Sequence, residues 1–364
     1  MKKIVHVVES FAGGVYSFLT DLTNSLTDNF EVVIVYSLRE QTPRDFRKDF
    51  DTKIKFVKID MCRGLNPHDN FKAFFKLKKV LKDEKPDIIH MHSSKAGFLG
   101  RIASYMNGFD MNNAFYNPHG FSFLQQNESK IKRFFFYSLE KFASMFGGCI
   151  VGCSKGEYEK ALKISTYCVN INNGIDIKKI DNMIVENNLD KEVYKKNKRI
   201  IIGTVGRICY QKNPSLFNEI AKSLPQYDFI WIGDGELKYE LSSQNIKVTG
   251  WINRNEVVAE VLKFNIFIMT SLWEGLPIAL LEAMYLGRPV IVSNVIGNRD
   301  VIQNETNGYV AQDLRSYYKS INELMINKET RRIFKQKSIE NVVNKYNKSN
   351  MIKKYEKLYQ NISF

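Results

Sequence analysis

The sequence lacks any run of about 18 uninterrupted apolar residues, which is the length that a membrane-spanning helix needs. Its first apolar run, residues 4–8, follows Lys2 and Lys3 and stops at Glu9, so it is too short for the core of a signal peptide. We therefore expect a soluble protein that is not exported and that stays in the cytoplasm.

The sequence is also poor in cysteine, with 5 among 364 residues and no Cys-x-x-Cys pair. An odd number without paired spacing gives no disulfide framework and indicates reduced thiols. No recognition helix, zinc finger or RNA-binding aromatic motif is present either, so we expect no nucleic-acid partner. The net charge of +14 would suit nucleic acid, an anionic membrane surface or a phosphorylated substrate, and composition alone does not choose among them.

What the chain does have is length for two domains, since one hydrophobic core usually organises about 100 to 200 residues. Residues 4–8 form a compact apolar strand, 15–27 have helical spacing and 31–36 alternate into a second strand, which together make a βαβ unit. Short apolar strands between helices predict an α/β fold with parallel, doubly wound sheets. Further strands of the first half are predicted at 54–59, 87–90, 114–116, 149–153 and 168–171, with helices near 69–84 and 129–146.

A polar stretch at residues 176–198 separates the halves and is interpreted as a surface linker with a short helix. The second half begins again with a strand at 199–205, and further strands are predicted at 229–232, 247–249, 266–269 and 290–292. Residues 329–362 have helical spacing, as in two-domain proteins whose last helix crosses back over the first domain. We predict an N-terminal domain of residues 1–175 joined by 345–364, and a C-terminal domain of residues 199–344.

Two segments combine glycine or cations with the end of a predicted strand. Gly13 and Gly14 lie between a strand and a helix, where they form either a tight turn or a cradle for an anionic ligand. Arg207 follows the strand at 199–205, and Lys212 comes five residues later. Ligands of open α/β sheets bind at the carboxyl ends of strands, so these two cations could neutralise a diphosphate; the alternative is a surface ion pair.

The most informative stretch runs from the strand at 266–269 through Glu274, Gly275 and Pro277 to Glu282. Pro277 suits the first turn of a helix, which places Glu274 in the preceding loop and Glu282 in the second turn. A carboxylate in an apolar run needs a partner, because burying it unpaired is costly. Sugar hydroxyls are suitable donors to it, and a buried Lys or Arg is the alternative for Glu282.

The histidines offer weaker signals. His119 lies between Pro118 and Gly120 on constrained backbone, where it could act as a proton-transfer or hydrogen-bonding group. His90 and His92 alternate along a strand as metal ligands sometimes do, but no third ligand is near them in the sequence. We therefore predict no metal site.

Taken together, these segments resemble the family 4 glycosyltransferases, and the resemblance covers almost the whole chain. That family has the GT-B fold, in which two Rossmann-like domains face each other across a central cleft and a C-terminal helix crosses back to the N-terminal domain. The segments that carry the resemblance are Gly13-Gly14, residues 92–97, residues 117–120, residues 173–176, Gly206-Arg207 with Lys212, and Glu274 with Glu282.

The resemblance implies a role for each of these residues. Arg207 and Lys212 would hold the donor diphosphate, Glu282 the ribose, and Glu274 the hydroxyls of the transferred sugar. His119 would contact the sugar or the transition state. The other implied donor contacts are Gly14, Gly275, Leu276 and Trp251, the last of which either flanks the nucleobase or only packs, and the acceptor side would include Gly13, Ser94 and Lys95.

The resemblance also implies a retaining transferase in which the leaving phosphate assists front-face attack. The other large glycosyltransferase fold uses a metal-binding Asp-x-Asp, but here Asp49-Phe50-Asp51 has no preceding apolar run and is interpreted as a solvated loop. We therefore expect neither a metal nor a cofactor. The sequence departs from the family at residues 297–300, where a Gly-Gly-x-x-Glu loop is common, and at Asn213, where glycine is frequent.

Residues 92–97 and 119–123 are similar to bacterial capsule, exopolysaccharide and O-antigen transferases, whose acceptors are often sugars on polyprenyl diphosphate. A UDP-sugar is the expected donor, with a UDP-N-acetylhexosamine among the candidates. Such an acceptor would bring the protein to the cytoplasmic face of the inner membrane. Residues 129–146 combine Lys130, Lys132 and Arg133 with an aromatic run, Phe134 to Tyr137, which indicates either an interfacial helix or a core helix with a basic end.

Two other functions compete with sugar transfer. A UDP-sugar epimerase can also use two facing Rossmann domains, but it would need general bases and would not release UDP. A basic nucleic-acid-binding protein would suit the net charge, and it would require binding that weakens steeply with salt.

Overall fold

The computed structural model describes residues 1–62, 64, 66–189 and 199–360. Residues 190–198 of the predicted linker and residues 361–364 of the predicted returning segment therefore lie outside the described residues. The chain divides into two compact units. The first unit contains Met1–Asn173 and the segment that begins at Met351, and the second contains Gly174–Asn350.

The first unit is built on a seven-stranded parallel sheet with the order β3-β2-β1-β4-β5-β6-β7. Its central strands are buried on both faces, which is why they read as continuous apolar runs. The strands are β1 (Lys2–Val8), β2 (Phe30–Tyr36), β3 (Lys55–Lys58), β4 (Ile88–His92), β5 (Ala114–Asn117), β6 (Cys149–Gly152) and β7 (Cys168–Asn170).

Helices cover both faces of this sheet, and side-chain caps fix several of their starts. Asn66 accepts a hydrogen bond from the backbone of His68, and Pro67 occupies the first turn of that helix. Ser129 and Ser154 cap two other helices in the same way. The helices are Gly13–Asn24, Pro67–Glu84, Ser94–Met106, Lys130–Ser144 and Lys155–Ala161.

The second unit repeats the plan with a six-stranded parallel sheet in the order β10-β9-β8-β11-β12-β13. The predicted α/β fold with doubly wound sheets is thus confirmed. The strands are β8 (Ile201–Val205), β9 (Asp228–Ile232), β10 (Ile246–Val248), β11 (Ile266–Met269), β12 (Val290–Ser293) and β13 (Tyr309–Ala311). The helices are Ile177–Glu186, Pro214–Ser223, Arg254–Leu262, Ile278–Tyr285, Asn298–Val301, Leu314–Ile326 and Lys328–Lys345.

The predicted C-terminal helical segment is two helices rather than one, because the helix that ends at Lys345 is followed by a second helix, Lys348–Tyr359. The break is held by Ile175, whose N–H donates to the carbonyl of Tyr346 at 2.9 Å. A Cβ atom on Gly174 would lie 2.4 Å from the carbonyl oxygen of Asn347, so this approach requires glycine. After the break, the apolar residues Met351, Ile352, Tyr355, Leu358 and Tyr359 enter the core of the first unit.

In each sheet the strand order reverses at one point, between β1 and β4 and between β8 and β11. Open α/β sheets bind their ligands outside the carboxyl ends of the strands at such a switch point. Gly13-Gly14 follows β1 and Ser94-Lys95 follows β4, while Arg207 follows β8 and the loop with Glu274 follows β11. The residues singled out in the sequence therefore lie at the expected edge of each sheet.

Candidate active site

Arg207 lies at the carboxyl end of β8, where the backbone of Gly206 takes a φ of 154°. The guanidinium is partly exposed, and its distance to the Glu236 carboxylate is 4.0 Å. An ion pair this long and this exposed contributes little, so it leaves the planar fork able to bind a phosphate.

A second glycine loop, which the sequence analysis did not single out, packs against this turn. A Cβ atom on Gly233 would stand 2.2 Å from the carbonyl oxygen of Gly206, and one on Gly235 would stand 2.2 Å from that of Ile208. The N–H of Ile208 donates to the carbonyl of Asp234 at 2.9 Å. Glycine on either side of Asp234 directly after an apolar strand was the available signal, because such spacing marks a close backbone approach.

Lys212 and Glu274 form a tight pair beside this turn. The Lys212 Nζ donates to Glu274 Oε1 at 2.6 Å, and both side chains are largely buried. Gln211 donates to the carbonyl of Trp273 at 2.9 Å, which holds the two loops together. The structure therefore joins two residues to which the sequence assigned separate ligands, a diphosphate and a sugar.

Glu282 lies in the second turn of the helix Ile278–Tyr285, as predicted, and is buried. Pro277 is the N-cap residue of this helix rather than a member of its first turn. The Glu282 carboxylate accepts a hydrogen bond from the guanidinium of Arg254, which begins the helix Arg254–Leu262. The partner of Glu282 in this structure is thus an arginine, although a partly exposed one rather than the buried one considered above.

Gly275 and Leu276 are both buried in the loop before that helix. The segment that departs from the family pattern packs directly on them, since a Cβ atom on Gly297 would stand 2.2 Å from the carbonyl oxygen of Gly275. Gly297 has a φ of 81°, and its N–H donates to the Asp300 carboxylate at 3.0 Å. Asp300 therefore fixes the backbone of its own loop.

Trp251 follows β10 and is 59% exposed, which is unusual for a residue that only packs. Its ring comes within 3.7 Å of the position that a Cβ atom on Gly233 would occupy. The indole therefore lies beside the glycine loop of β9, on the ligand-binding edge of the second sheet.

On the first unit, Gly13 and Gly14 begin a helix whose N-cap residue, Ala12, provides no side-chain cap. Both glycines are exposed, and a Cβ atom on either would meet nothing within 4 Å. Gly13 has a φ of 55°, a conformation that favours glycine. This helix start is open to a ligand.

Ser94 and Lys95 are engaged within the protein. The Ser94 hydroxyl lies 3.3 Å from the hydroxyl of Tyr116. The Lys95 ammonium contacts the carbonyls of Cys62 and Gly64 and, at 3.0 Å, Asn70 Oδ1. Three acceptors match the three N–H bonds of an ammonium group, so a direct contact between Lys95 and an acceptor would require the loss of one of them.

His119 has a φ of 53°, which is uncommon for a residue other than glycine. The buried Glu157 carboxylate holds this turn by accepting from the N–H of Gly120 at 2.6 Å and from that of Cys153 at 2.8 Å. Strained backbone that is held in this way clusters at functional sites. Desolvation lowers the pKa of His119 to about 3, so its ring is neutral at physiological pH.

The structure adds a third histidine to His90 and His92, which the sequence left as a pair. Parallel pairing of β1 with β4 places His6 opposite His90, and ring nitrogens of the three residues all lie within 4.8 Å of one another. His6 is thus a third possible ligand that the sequence did not reveal, because β1 and β4 are adjacent in the sheet but distant in the sequence. Whether this cluster suits a metal depends on the hydrogen bonds of its ring nitrogens.

The Asp-x-Asp segment agrees in part with the predicted solvated loop, since Asp49 is exposed and Asp51 is partly exposed. Phe50 is buried in the first core, and Asp49 ends a short 3₁₀ helix. Asp49 Oδ2 accepts from the hydroxyl of Tyr16 at 2.5 Å, and Asp51 Oδ2 accepts from that of Thr27 at 3.1 Å. Both carboxylates thus have local structural partners.

Comparison with known proteins shows the family of the chain. Residues 12–179 match the family model for Glycosyltransferase Family 4, and residues 185–341 match that for Glycosyl transferases group 1. The chain is also 32% identical, over 81% of its length and 80% of the relative's, to the UDP-Gal:alpha-D-GlcNAc-diphosphoundecaprenol alpha-1,3-galactosyltransferase of Escherichia coli. The chain belongs to glycosyltransferase family 4. This membership favours sugar transfer over the epimerase and nucleic-acid alternatives.

Another relative and a solved structure extend the comparison. The N,N'-diacetylbacillosaminyl-diphospho-undecaprenol alpha-1,3-N-acetylgalactosaminyltransferase of Campylobacter jejuni is 26% identical over 97% of each chain. The Anabaena protein HepE, solved in complex with UDP, matches over the full length of both chains with a TM-score of 0.77 and 15% identity. The fold of this family 4 member is therefore of the GT-B type. Among the described residues, no helix is both long and apolar enough to span a membrane.

Proposed function

We propose that this glycosyltransferase moves a sugar, with retention of configuration and without a metal ion, from a UDP-sugar to a glycan carried on undecaprenyl diphosphate during synthesis of a bacterial surface polysaccharide. The observation that carries the proposal is the charged edge of the second sheet. There, Arg207 and the pair Lys212–Glu274 flank the β8/β11 switch point. The glycine loop after β9 packs directly against the backbone of the turn that carries Arg207.

The two cations match a nucleoside diphosphate. Arg207 offers a planar fork of donors and Lys212 a compact charge, which together neutralise the two phosphates, a task that a metal ion performs in other transferases. In the proposed reaction, the bond from the anomeric carbon to the β-phosphate oxygen breaks and the acceptor hydroxyl oxygen bonds to that carbon. The hydroxyl proton passes to the leaving phosphate oxygen, so no protein nucleophile is needed.

The two carboxylates match the sugar rings of the donor. Glu274 is held beside the Lys212 ammonium, so a donor that brings its phosphate to the lysine would bring the hydroxyls of its transferred sugar to the glutamate. Glu282 would accept from the ribose hydroxyls, with Arg254 compensating its charge. Trp251 is then available to flank the nucleobase, and His119 of the first unit to contact the sugar substrate.

The two relatives support the choice of donor and acceptor. The Escherichia coli enzyme uses UDP-Gal, and the acceptors named for both enzymes are sugars on a diphospho-undecaprenol. Both are alpha-transferases by name, which supports retention. We expect no metal or cofactor requirement beyond the nucleotide sugar.

A lipid-linked acceptor implies work at a membrane surface, and the helix Lys130–Ser144 suits it. Only Glu140 and Ala143 of this helix are buried, so the alternative of a core helix is wrong. Several of its large apolar side chains are exposed, Ile131 by 84% and Phe134 by 70%, beside Lys130, Lys132 and Arg133. We propose that it lies on the anionic cytoplasmic face of the inner membrane.

Buried contacts anchor this helix to the rest of the first unit. Glu140 accepts from the Arg101 guanidinium at 2.9 Å and from the Tyr116 hydroxyl at 2.8 Å, and all three side chains are buried. The opposite face of the helix is therefore free to meet lipid without loss of the fold.

The deciding experiment is thermal unfolding of the purified protein with UDP, GDP or ADP. A ligand of the native state at 100 times its dissociation constant adds about 2.7 kcal/mol of stability. We expect UDP to stabilise the wild type and not Arg207→Ala. Arg199→Ala is the matched control, because Arg199 pairs with Asp228 near the opposite end of the same sheet.

The result tests the nucleotide of the donor and the role of Arg207, neither of which follows from membership of the family. Stabilisation of Arg207→Ala equal to that of the wild type would remove Arg207 from the site, and stabilisation by GDP or ADP alone would replace the proposed donor. Retention is then tested by NMR of the first-formed product, in which the anomeric coupling must match that of the donor. Activity should survive exhaustive chelation of divalent ions.

A further inference from the structure

Four of the five histidines of the chain lie together in the first unit. His6 is on β1, His90 and His92 are on β4, and His119 follows β5. The first three are fully buried and His119 is partly exposed. Buried polar rings must satisfy their hydrogen bonds internally, so the tautomer of each ring is fixed by its neighbours.

The tautomer of His90 follows from its neighbour Asn117. The Asn117 amide nitrogen donates to the carbonyl of Val151 at 2.8 Å, which orients its Oδ1 toward His90 Nε2 at 2.6 Å. An amide oxygen only accepts, so His90 donates from Nε2. Its bare Nδ1 then accepts from the hydroxyl of Tyr359 at 2.6 Å.

The other three histidines form a row. His6 Nδ1 lies 3.0 Å from His92 Nε2, and His92 Nδ1 lies 3.1 Å from His119 Nε2. The ring centroids are 5.3 and 5.4 Å apart with interplanar angles of 21° and 20°, so the rings meet edge to edge rather than face to face. Two in-plane N–H···N hydrogen bonds therefore run along the row.

All three rings are neutral at physiological pH. Desolvation lowers the pKa of His6 to about 3 and does the same for His119. The pKa of His92 lies well below its usual value, chiefly because of desolvation and also because of repulsion from His90, His6 and His119. Each ring therefore carries one N–H, and each contact holds one proton.

With one N–H on each ring and one proton in each contact, the row has only two possible arrangements of its protons. If His6 donates from Nδ1, His92 accepts at Nε2 and must donate from Nδ1, and His119 accepts at Nε2 and carries its proton on Nδ1. If the row runs the other way, all three protons lie on Nε2. One tautomer choice at His6 thus determines the tautomer of His119, on the other side of His92.

The buried end of the row favours the first state. His6 Nε2 is buried and has no hydrogen-bond partner. Protons on Nδ1 leave a bare nitrogen there, whereas the reverse state would leave a buried N–H without an acceptor, and orphaned buried donors are rare. At the other end, the structure shows no hydrogen-bond partner for His119 Nδ1 among the described residues, so this atom is available to a ligand.

We propose that His6 and His92 are positioning residues that hold His119 as the Nδ1–H tautomer and so make it a neutral hydrogen-bond donor to an oxygen of the sugar substrate. Only the last clause rests on the proposed function, because the coupling of the tautomers needs no ligand. The strained backbone at His119, which Glu157 holds, fixes the ring at the end of the row.

The same hydrogen bonds argue against a metal at His6, His90 and His92. Both ring nitrogens of His90 and both of His92 already have partners, which leaves His6 Nε2 as the one unused nitrogen of the three. A metal would have to displace at least two of these hydrogen bonds. The cluster is therefore better described as a tautomer relay than as a metal centre.

The test is ¹⁵N NMR of the full-length protein labelled in its histidine rings, without substrate. We expect Nδ1 to carry the proton in His6, His92 and His119, and Nε2 to carry it in His90, which serves as an internal reference. Protons on Nε2 in the row, mixed tautomers along it, or stoichiometric zinc that shifts these signals would each overturn the relay.

Two variants of His92 link the tautomer to transfer. His92→Phe removes the donor to His119 Nε2, so the partly exposed His119 ring should lose its single tautomer, and kcat should fall about tenfold while KM changes little. His92→Asn keeps an amide donor and should restore both the tautomer and kcat. A loss of activity in His92→Phe without any change at His119 would also overturn the proposal.

A failure of the relay can be told apart from a failure of the proposed function. If no variant and no wild-type sample transfers sugar, yet the NMR pattern is as expected, sugar transfer is wrong and the relay stands. If His92→Phe does not fold, the wild-type spectrum and His92→Asn still decide the tautomers.

Discussion

The carboxyl ends of the two parallel sheets carry different sets of polar groups. The second sheet has two charged pairs, Lys212 with Glu274 and Arg254 with Glu282. The first sheet has one charged pair, Arg39 with Glu9, and adds neutral rings, His92 and His119, whose protons are fixed by neighbours rather than by charge. The proposed roles follow this difference: cations that can exchange partners would meet the donor diphosphate, whereas neutral donors of fixed direction would meet uncharged hydroxyls.

Among the substitutions that test this difference, removal of Lys212 should have the largest effect on activity. Lys212→Ala should lower kcat/KM about a thousandfold, because a phosphate loses its cation and the buried Glu274 carboxylate is left unpaired. Transfer assays and the dissociation constant of UDP measure the effect. Lys222→Ala is the control, since that lysine pairs with Glu219 on the exposed face of a helix. Wild-type affinity for UDP in Lys212→Ala would refute the charged edge as the donor site.

The second prediction concerns the exposed side chains of the first unit. Ile131→Ser combined with Phe134→Ser should weaken binding to vesicles of anionic lipid about a hundredfold, since each side chain loses part of the 1.5 to about 3 kcal/mol of its burial. Ile326→Ser provides the control, because Ile326 is 82% exposed on a helix of the second unit. Co-sedimentation measures both. If the two variants bind equally well, the helix Lys130–Ser144 is not the membrane contact.

Most of the fold could be predicted from the sequence, and the exceptions have physical reasons. The helix Ser94–Met106 was not predicted, because Gly97 and Gly100 weaken helix propensity. The structure shows why they are there: a Cβ atom on Gly97 would lie 2.4 Å from the Tyr116 ring, and one on Gly100 2.6 Å from Met91 Sδ. Packing against the sheet outweighs the local preference.

The candidate site could be predicted as a set of residues but not as a set of partners. Glu274 and Lys212 were identified from their places after strands, yet their pairing joins loops 62 residues apart. His6 was missed because its partner His92 is 86 residues away and becomes a neighbour only through the pairing of β1 with β4. Spacing in the sequence indicates which strand end a residue follows, whereas the strand order decides what it meets.

A third prediction tests the neutral edge directly. His119→Ala should lower kcat/KM about thirtyfold, through the loss of one donor to the substrate and of the partner of the buried His92 Nδ1. UDP affinity should stay within about twofold, because the charged edge is unchanged. His68→Ala, at an exposed histidine, controls for the loss of a ring. A His119→Ala enzyme that loses UDP binding as severely as Lys212→Ala would erase the distinction between the edges.

The smallest expected effect is on stability, and its sign follows from the lowered pKa values of the buried histidines. Below pH 6.5, the ordinary pKa of histidine, these rings bind protons in the unfolded chain but not in the folded one. The free energy of unfolding therefore falls as pH decreases. Between pH 7.5 and 5.5 each such histidine costs about 1.4 kcal/mol. Denaturation at both pH values should therefore show a smaller pH dependence in His6→Phe than in the wild type, by about this amount. An identical dependence in both proteins would mean that folding does not lower the pKa of His6, and the row of neutral histidine rings would then be wrong.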